Sequence, residues 1–389
     1  MDYVVTIPTT RERGAEVYRC LYSIFNEPTY QQFPIIVFGQ TDDPTIAPLW
    51  RDIFGFNNIF YFGPDNMKRI ILLLNNKLCF NRQKLEALFN FRTYGGARNL
   101  LTALAVLFCN KYNVGVINLD DDEEVKEGFF KEHIRLLGTT TNKGKKITLV
   151  TGPYENHDSY VGIETLINYL KNPKNSEIEN IIRAITPAKV FENFKYGIEG
   201  ARGGNLSRCD EALLIPYISS ITDISMRGED EIQAYLNQKM NSGCINVYTP
   251  NARVIHRKRP GYIVDVIKGE IIGIIVERVV NKLLSQPSLP LDELKQYIRE
   301  QTEGVLKDTR ERISKAARCY SYKKNKTNSV KDILKILSDL LKQEDFFVEQ
   351  TYNHIDSWIF ARDNWKTIIE YLANVSCQQK NYLLGLFCS

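Results

Sequence analysis

The stretch Val114–Val125, VGVINLDDDEEV, constrains this chain more than any other. Val114 to Leu119 is a short apolar run with β-branched residues, which suits a parallel strand covered on both faces. It runs directly into Asp120, Asp121 and Asp122. Carboxylates at the end of such a strand lie at the carboxyl edge of the sheet, where open α/β folds bind ligands. Adjacent carboxylates repel one another, and a divalent cation relieves that repulsion. Hard Mg²⁺ or Mn²⁺ prefers oxygen ligands and shares them with substrate phosphates. The same residues would also serve as a solvated acidic turn, because Asp and Glu favour helix N-termini.

The flanking pattern predicts an α/β sheet around that strand. Tyr3–Ile7 reads as a strand, followed by PTTRER and a helix over Gly14–Phe25. Ile35–Phe38 is a second strand ending in GQTDDP, Asn58–Phe62 a third, and Lys84–Phe91 a helix. Gly95 and Gly96 break the chain before a long helix, Ala97–Tyr112, whose stripe is Leu100, Leu101, Leu104, Ala105, Leu107 and Phe108. Strand, helix and strand in alternation favour a parallel sheet, here a nucleotide-binding type of half-domain. Ile147–Thr151 continues it as a strand and Gly162–Lys171 as a helix, with loop and short helix to Thr186. The cluster Gly200, Gly203, Gly204 brings backbone close to a ligand or makes tight turns. Gly228 breaks the chain before a helix that starts at Glu229 or Asp230. Ile245–Tyr248 and Ala252–His256 are short strands leading into the basic run RKRPG.

Beyond Pro260 the composition turns helical. Leu291–Tyr320, Ser329–Lys342 and Asn364–Val375 are the predicted helices, with Ser329 and Asp332 resembling a capping box. The boundary falls near 260–285, giving an α/β domain over 1–260 and a helical domain over 261–389. At 389 residues the chain has room for two or three domains of ~100–200 residues.

Composition excludes several classes. A hydrophobic fraction of 43% and a charged fraction of 25% are those of a soluble globular protein. A net charge of +4 gives no argument for a nucleic-acid partner. The eight cysteines form no CxxC and no Cys/His cluster of zinc spacing, so they read as free thiols in a reducing compartment. MDYVVTIPTTRER has no signal-peptide pattern, and no run reaches the ~20 apolar residues of a spanning helix. Tyr262–Leu284 comes nearest, but Asp265, Lys268, Glu270, Glu277, Arg278 and Lys282 interrupt it. It reads as an amphipathic helix on a core or on a homo-oligomer interface. The expected location is cytoplasmic, free or at a membrane surface.

PTTRER after the first strand, GGARN before the central helix, LDDDEEV, and GGN…GED…H now stand in one order. In that order they resemble the GT-A glycosyltransferases, above all the family-2-like group, over residues 1–260. The resemblance implies a GT-A, Rossmann-like, mostly parallel sheet that holds a UDP- or GDP-linked sugar at its strand ends, and a hydroxyl acceptor. It implies that Asp120 and Asp122 form the D-x-D pair, Asp122 on Mn²⁺ or Mg²⁺ and Asp120 on the ribose or the same metal, with Asp121 beside them. It implies that His256 adds an imidazole to that metal; a lone His at a strand end is otherwise structural. Asp230, or Glu229, would be the base that takes the acceptor's proton in an inverting displacement, or would only orient the acceptor if configuration is retained; both also suit a helix N-terminus. Pro8, Thr10 and Arg11 would line the nucleotide pocket, with Gln40, Asp42 and Asp43 against the base, although the D-D-G-S pattern is absent. Arg98 and Asn99 would reach the diphosphate or sugar from a helix start. Gly203, Gly204 and Asn205 would sit under the donor sugar or acceptor. Arg257, Lys258 and Arg259 would hold phosphate or an anionic acceptor, or form a solvated basic turn.

Two other classes fit less of the chain. A nucleotidyltransferase of related fold would carry an early Gly-rich loop with a following Lys, and PTTRER has no glycine before Gly14. A non-catalytic sugar- or nucleotide-binding module would not need the acidic motif, the acidic pair and the His together.

Overall fold

The computed structural model describes the chain except residues 31, 156–157, 161, 175–177, 179–180, 182–184, 188–192, 198–203, 257–261, 322–327 and 386–389. The N-terminal part alternates β1 (Asp2–Pro8), α1 (Ala15–Phe25), β2 (Ile35–Phe38), α2 (Ile46–Phe54) and β3 (Ile59–Phe62). Then come α3 (Pro64–Leu78), α4 (Arg82–Leu88), α5 (Tyr94–Cys109), β4 (Val114–Asn118), β5 (Glu123–Val125), α6 (Phe129–Leu136) and β6 (Lys146–Gly152). The next elements are β7 (Tyr154–Glu155), β8 (Asp158–Tyr160), α7 (Ile163–Lys171), β9 (Ile185–Pro187), β10 (Lys195–Tyr196) and β11 (Gly204–Arg208). They lead to α8 (Glu229–Met240), β12 (Cys244–Tyr248) and β13 (Val254–His256). The remainder is helical: α9 (Ile263–Ser285), α10 (Leu291–Ser321), α11 (Asn328–Leu340), α12 (Glu344–Ala373) and α13 (Cys377–Leu384).

The main sheet runs in the order β10-β12-β6-β11-β4-β1-β2-β3. β1 lies parallel to β2 and β4, and β2 to β3. β11 enters antiparallel between β4 and β6, β12 runs parallel to β6, and β10 is an antiparallel edge. The α/β class and the mostly parallel sheet are therefore as the GT-A resemblance implies, and the helical C-terminal part is as the composition beyond Pro260 predicts. β4 is buried along its whole length, as its apolar sequence requires. A small second sheet, β5-β13-β7, stands beside its carboxyl end.

Three expectations about element boundaries change. Gly95 and Gly96 lie inside α5, whose N-cap Thr93 accepts from the Gly96 amide. Their lack of a side chain serves close approach: a Cβ would meet the Ile218 carbonyl oxygen at 1.9 Å or that of Asn90 at 2.1 Å. Ser329 sits within the first turn of α11 and not at its cap. Asn364–Val375 proves to be the end of the 30-residue α12. The first half of α12 hides its helical signal because Gln350, Thr351, His354 and Ser357 are polar yet buried. Thr222 Oγ1 donates to Gln350 Oε1 at 2.7 Å, so this polar stripe has partners on the α/β part.

α9 is core. Ile267, Ile271, Ile272 and Ile275 share one apolar cluster with Ile163 and Leu170 of α7, Leu236 of α8, and Ile298, Ile333 and Ile355 of the later helices. This cluster crosses residue 260. Among the described residues no helix is long and apolar enough to cross a membrane.

Candidate active site

The aspartates after β4 and the histidine at the end of β13 come together through strand pairing. The chain turns after Asp122 and at once forms β5. β13, more than a hundred residues on, pairs antiparallel with β5, and His256 falls opposite Glu123. His256 Nε2 then lies 3.0 Å from Asp122 Oδ1. One ligand atom each of Asp120, Asp122 and His256 lie within 4.8 Å of one another. His256 is only 6% exposed, its Nδ1 is buried without a hydrogen-bond partner among the described residues, and the Tyr154 ring packs on it at 4.8 Å. Carboxylate oxygens with one imidazole are a donor set suited to Mn²⁺ or Mg²⁺, and the residues present fit such an ion.

Neighbours fix each aspartate. Arg98 Nη2 donates to Asp120 Oδ1 at 2.6 Å and its Nη1 to the Leu119 carbonyl at 3.2 Å. The Asp120 amide donates to Glu123 Oε2 at 2.9 Å. Burial, reinforced by the Asp120 charge, pushes the Glu123 carboxyl well above the ordinary range. Thr9 Oγ1 donates to Asp121 Oδ2 at 2.8 Å and accepts from the Arg11 amide at 3.1 Å. The loop after β1 is thereby tied to the acidic turn, with Pro8 closing the strand and Thr10 and Arg11 exposed.

Several of the expected ligand-binding residues make internal contacts. The Arg98 guanidinium is 3% exposed and held on Asp120, where it orients the acidic turn. Asn99 is fully buried; its Oδ1 accepts from the Tyr217 amide at 2.8 Å and its Nδ2 donates to the Tyr217 carbonyl at 2.9 Å. It pins the loop ahead of α8 and has no surface to offer a ligand. Asp42 Oδ1 accepts from the Asp65 amide at the start of α3 at 2.8 Å. Asp43 accepts from Thr45 and pairs with Arg13 at 2.9 Å. Gln40 is exposed, and its amide donates to the Glu12 carboxylate, which also accepts from the Tyr61 hydroxyl at 3.1 Å. Gly204 pairs with Gly152 in the sheet. Gly203, Arg257, Lys258, Arg259 and the Asn205 side chain lie outside the described residues.

Glu229 and Asp230 open α8 behind Gly228, whose φ of 88° is the left-handed conformation glycine tolerates. Tyr94 Oη donates to Asp230 Oδ2 at 2.9 Å and Tyr217 Oη to Oδ1 at 3.1 Å. Burial raises the Asp230 carboxyl above its ordinary value, opposed by the Arg98 charge and the phenol hydrogen bonds. Burial pushes Glu229 up to about 8, opposed by Arg227. Burial thus favours the neutral acid of Glu229, whereas two phenol donors favour the ionised form of Asp230.

Sequence reading missed Thr9, Glu123, Tyr94 and Tyr217. Tyr94 was legible in part, since it stands four residues before Arg98, one helical turn away on the same face. Arg98 Cζ indeed lies 4.9 Å from its ring centroid. Tyr217, in a loop, has no sequence signal.

The sequence matches no family model and no curated protein. Among solved structures, residues 1–349 of TarS from S. aureus are similar, with a TM-score of 0.38 and 12% identity over 94% of this chain and 92% of that one. The same protein in complex with UDP-GlcNAc gives a TM-score of 0.37 at 12% identity and the same coverage. The mannosyltransferase PcManGT from Pyrobaculum calidifontis, in complex with GDP-Man and Mn²⁺, gives 0.41 at 11% identity over 92% of this chain and 86% of that one.

Proposed function

We propose that this chain is a metal-dependent glycosyltransferase that moves a sugar from a UDP- or GDP-linked donor to a hydroxyl acceptor. One observation carries the reading: Asp122 and His256, far apart in sequence, meet at 3.0 Å beside Asp120, where the central strand ends. A purely structural acidic turn has no need of a buried imidazole.

Asp122 and His256 would hold Mn²⁺ or Mg²⁺, with Asp120 as a third ligand or on the ribose. Bound there, the cation would neutralise charge growing on the departing nucleoside diphosphate. Arg98 keeps Asp120 in one orientation, and Thr9 does the same for Asp121. Asp230 would accept the proton of the acceptor hydroxyl as its oxygen attacks the anomeric carbon and the bond to diphosphate breaks. Each carboxylate oxygen accepts one phenol and keeps a lone pair free for that hydroxyl. The division into an α/β part over 1–260 and a helical part over 261–389 belongs to the same proposal, the two parts sharing one apolar cluster.

The test is product formation from a panel of UDP- and GDP-sugars and hydroxyl acceptors, with Mn²⁺ or Mg²⁺ and with EDTA. Asp122→Ala and Asp230→Asn should abolish transfer while leaving the thermal transition in place. Turnover that persists in EDTA rejects the metal assignment. Pyrophosphate release from a nucleoside triphosphate would instead mark a nucleotidyltransferase. Nucleotide binding with no transfer on any acceptor would mark a binding module.

A further inference from the structure

Asp230 is gripped by two phenols that are built alike. Tyr94 and Tyr217 donate to its two oxygens at 2.9 and 3.1 Å, and their rings meet edge to face with centroids 6.1 Å apart. Each ring carries a buried guanidinium on its face: Arg98 Cζ at 4.9 Å from the Tyr94 centroid and Arg208 Cζ at 4.5 Å from that of Tyr217. Arg98 has Asp120 as its counter-ion. Arg208 is fully buried, and its guanidinium donates to Thr102 Oγ1 and to the carbonyls of Ala212 and Ile215. No carboxylate pairs with it among the described residues. A buried cation without a counter-charge is costly to maintain.

We propose that Tyr94 and Tyr217 are positioning residues for the transfer reaction, which, backed by Arg98 and Arg208, hold Asp230 as a carboxylate in one fixed orientation. This rests on the reading of Asp230 as the base. Burial favours the neutral acid, whereas two donors to the carboxylate favour the ion. A cation over a phenol ring draws electron density from it and makes the hydroxyl a stronger donor. The phenols do not take the proton themselves, because burial and the Asp230 charge hold both well above the ordinary tyrosine range. Asp120 after β4, Tyr154 of β7 and Glu229 beside it also lie within electrostatic reach of Asp230.

The experiment is the pH profile of kcat, from pH 5 to 9 with Mn²⁺, for wild type, Tyr94→Phe and Tyr217→Phe. Removing either hydroxyl should move the acidic limb upward by about one pH unit, a roughly tenfold loss of turnover below it. KM for the donor and the Mn²⁺-dependent thermal stabilisation by UDP or GDP should stay at wild-type values. Either variant alone decides the matter, and Tyr94→Phe, at the half-buried position, serves if Tyr217→Phe does not fold. An acidic limb that stays in place, with turnover reduced evenly at every pH, overturns the proposal. So does loss of the nucleotide-dependent stabilisation in both variants, which would make the tyrosines general supports of the fold. Failure of the glycosyltransferase reading looks different: wild type would transfer nothing, or Asp230→Asn would transfer normally.

Discussion

His256→Ala tests the metal centre without any knowledge of the substrate. A ligand that binds only the folded state stabilises it by RT ln(1 + [L]/Kd), about 2.7 kcal/mol at a Mn²⁺ concentration one hundred times Kd. For 389 residues the unfolding entropy is roughly 0.8 kcal/mol per degree, so wild type should gain about 3 °C in Tm. Removing even an outer-shell partner of a metal ligand costs ~10–100-fold in affinity, and a direct ligand should cost no less. At the same Mn²⁺ concentration the stabilisation of His256→Ala then falls to about 0.4–1.4 kcal/mol, a gain of roughly 0.5–1.7 °C. Differential scanning fluorimetry with a Mn²⁺ titration, referenced to EDTA, measures both proteins directly. The packing change is absorbed in the reference, since each variant is compared with its own metal-free melt. Equal Mn²⁺ shifts in wild type and His256→Ala would refute the reasoning, because the 3.0 Å approach of Nε2 to Asp122 would then be an ordinary hydrogen bond.

Arg98→Met should cost about 3 kcal/mol in urea unfolding, the low end for breaking a buried ion pair, because Asp120 keeps 26% of its surface in water; a loss under 1 kcal/mol would contradict the pairing. Gly273→Ala should lower transfer while leaving nucleotide binding intact, since its Cβ would meet the Arg227 carbonyl oxygen at 2.0 Å and push the loop that leads to Asp230; unchanged kcat would exclude that route. Glu229, raised from 4.5 to about 8, binds its proton more tightly when folded, so its contribution to stability is complete below pH 4.5 and lost as pH rises through 8. Glu229→Gln should flatten the decline of stability across that window, and a parallel decline in both proteins would count against it. A chain ending at residue 260 should fail to give a cooperative melt, because α9 supplies Ile267, Ile271 and Ile275 to the cluster that covers α7 and α8.

Sequence by itself determined the parts with a strict local cause. The apolar, β-branched run Val114–Leu119 could only be a buried strand, and the aspartates after it had to lie at the sheet's carboxyl edge. Ile35–Phe38 was legible in full for the same reason, and Gly228 marked the start of α8. Pairing was beyond the sequence. Nothing in VIH states that β13 lies against β5, yet that register is what carries His256 to Asp122. Arg98 and Asn99 stood where a helix start could greet an anion; in the fold Arg98 pairs with the partly exposed Asp120 and Asn99 bonds a loop backbone, contacts the sequence does not state. The Asp230 clamp draws on a helix residue, Tyr94, and a loop residue, Tyr217, whose separation no periodicity encodes. Local propensity follows from neighbours in the chain, whereas a site depends on contacts that exist only once distant segments have packed.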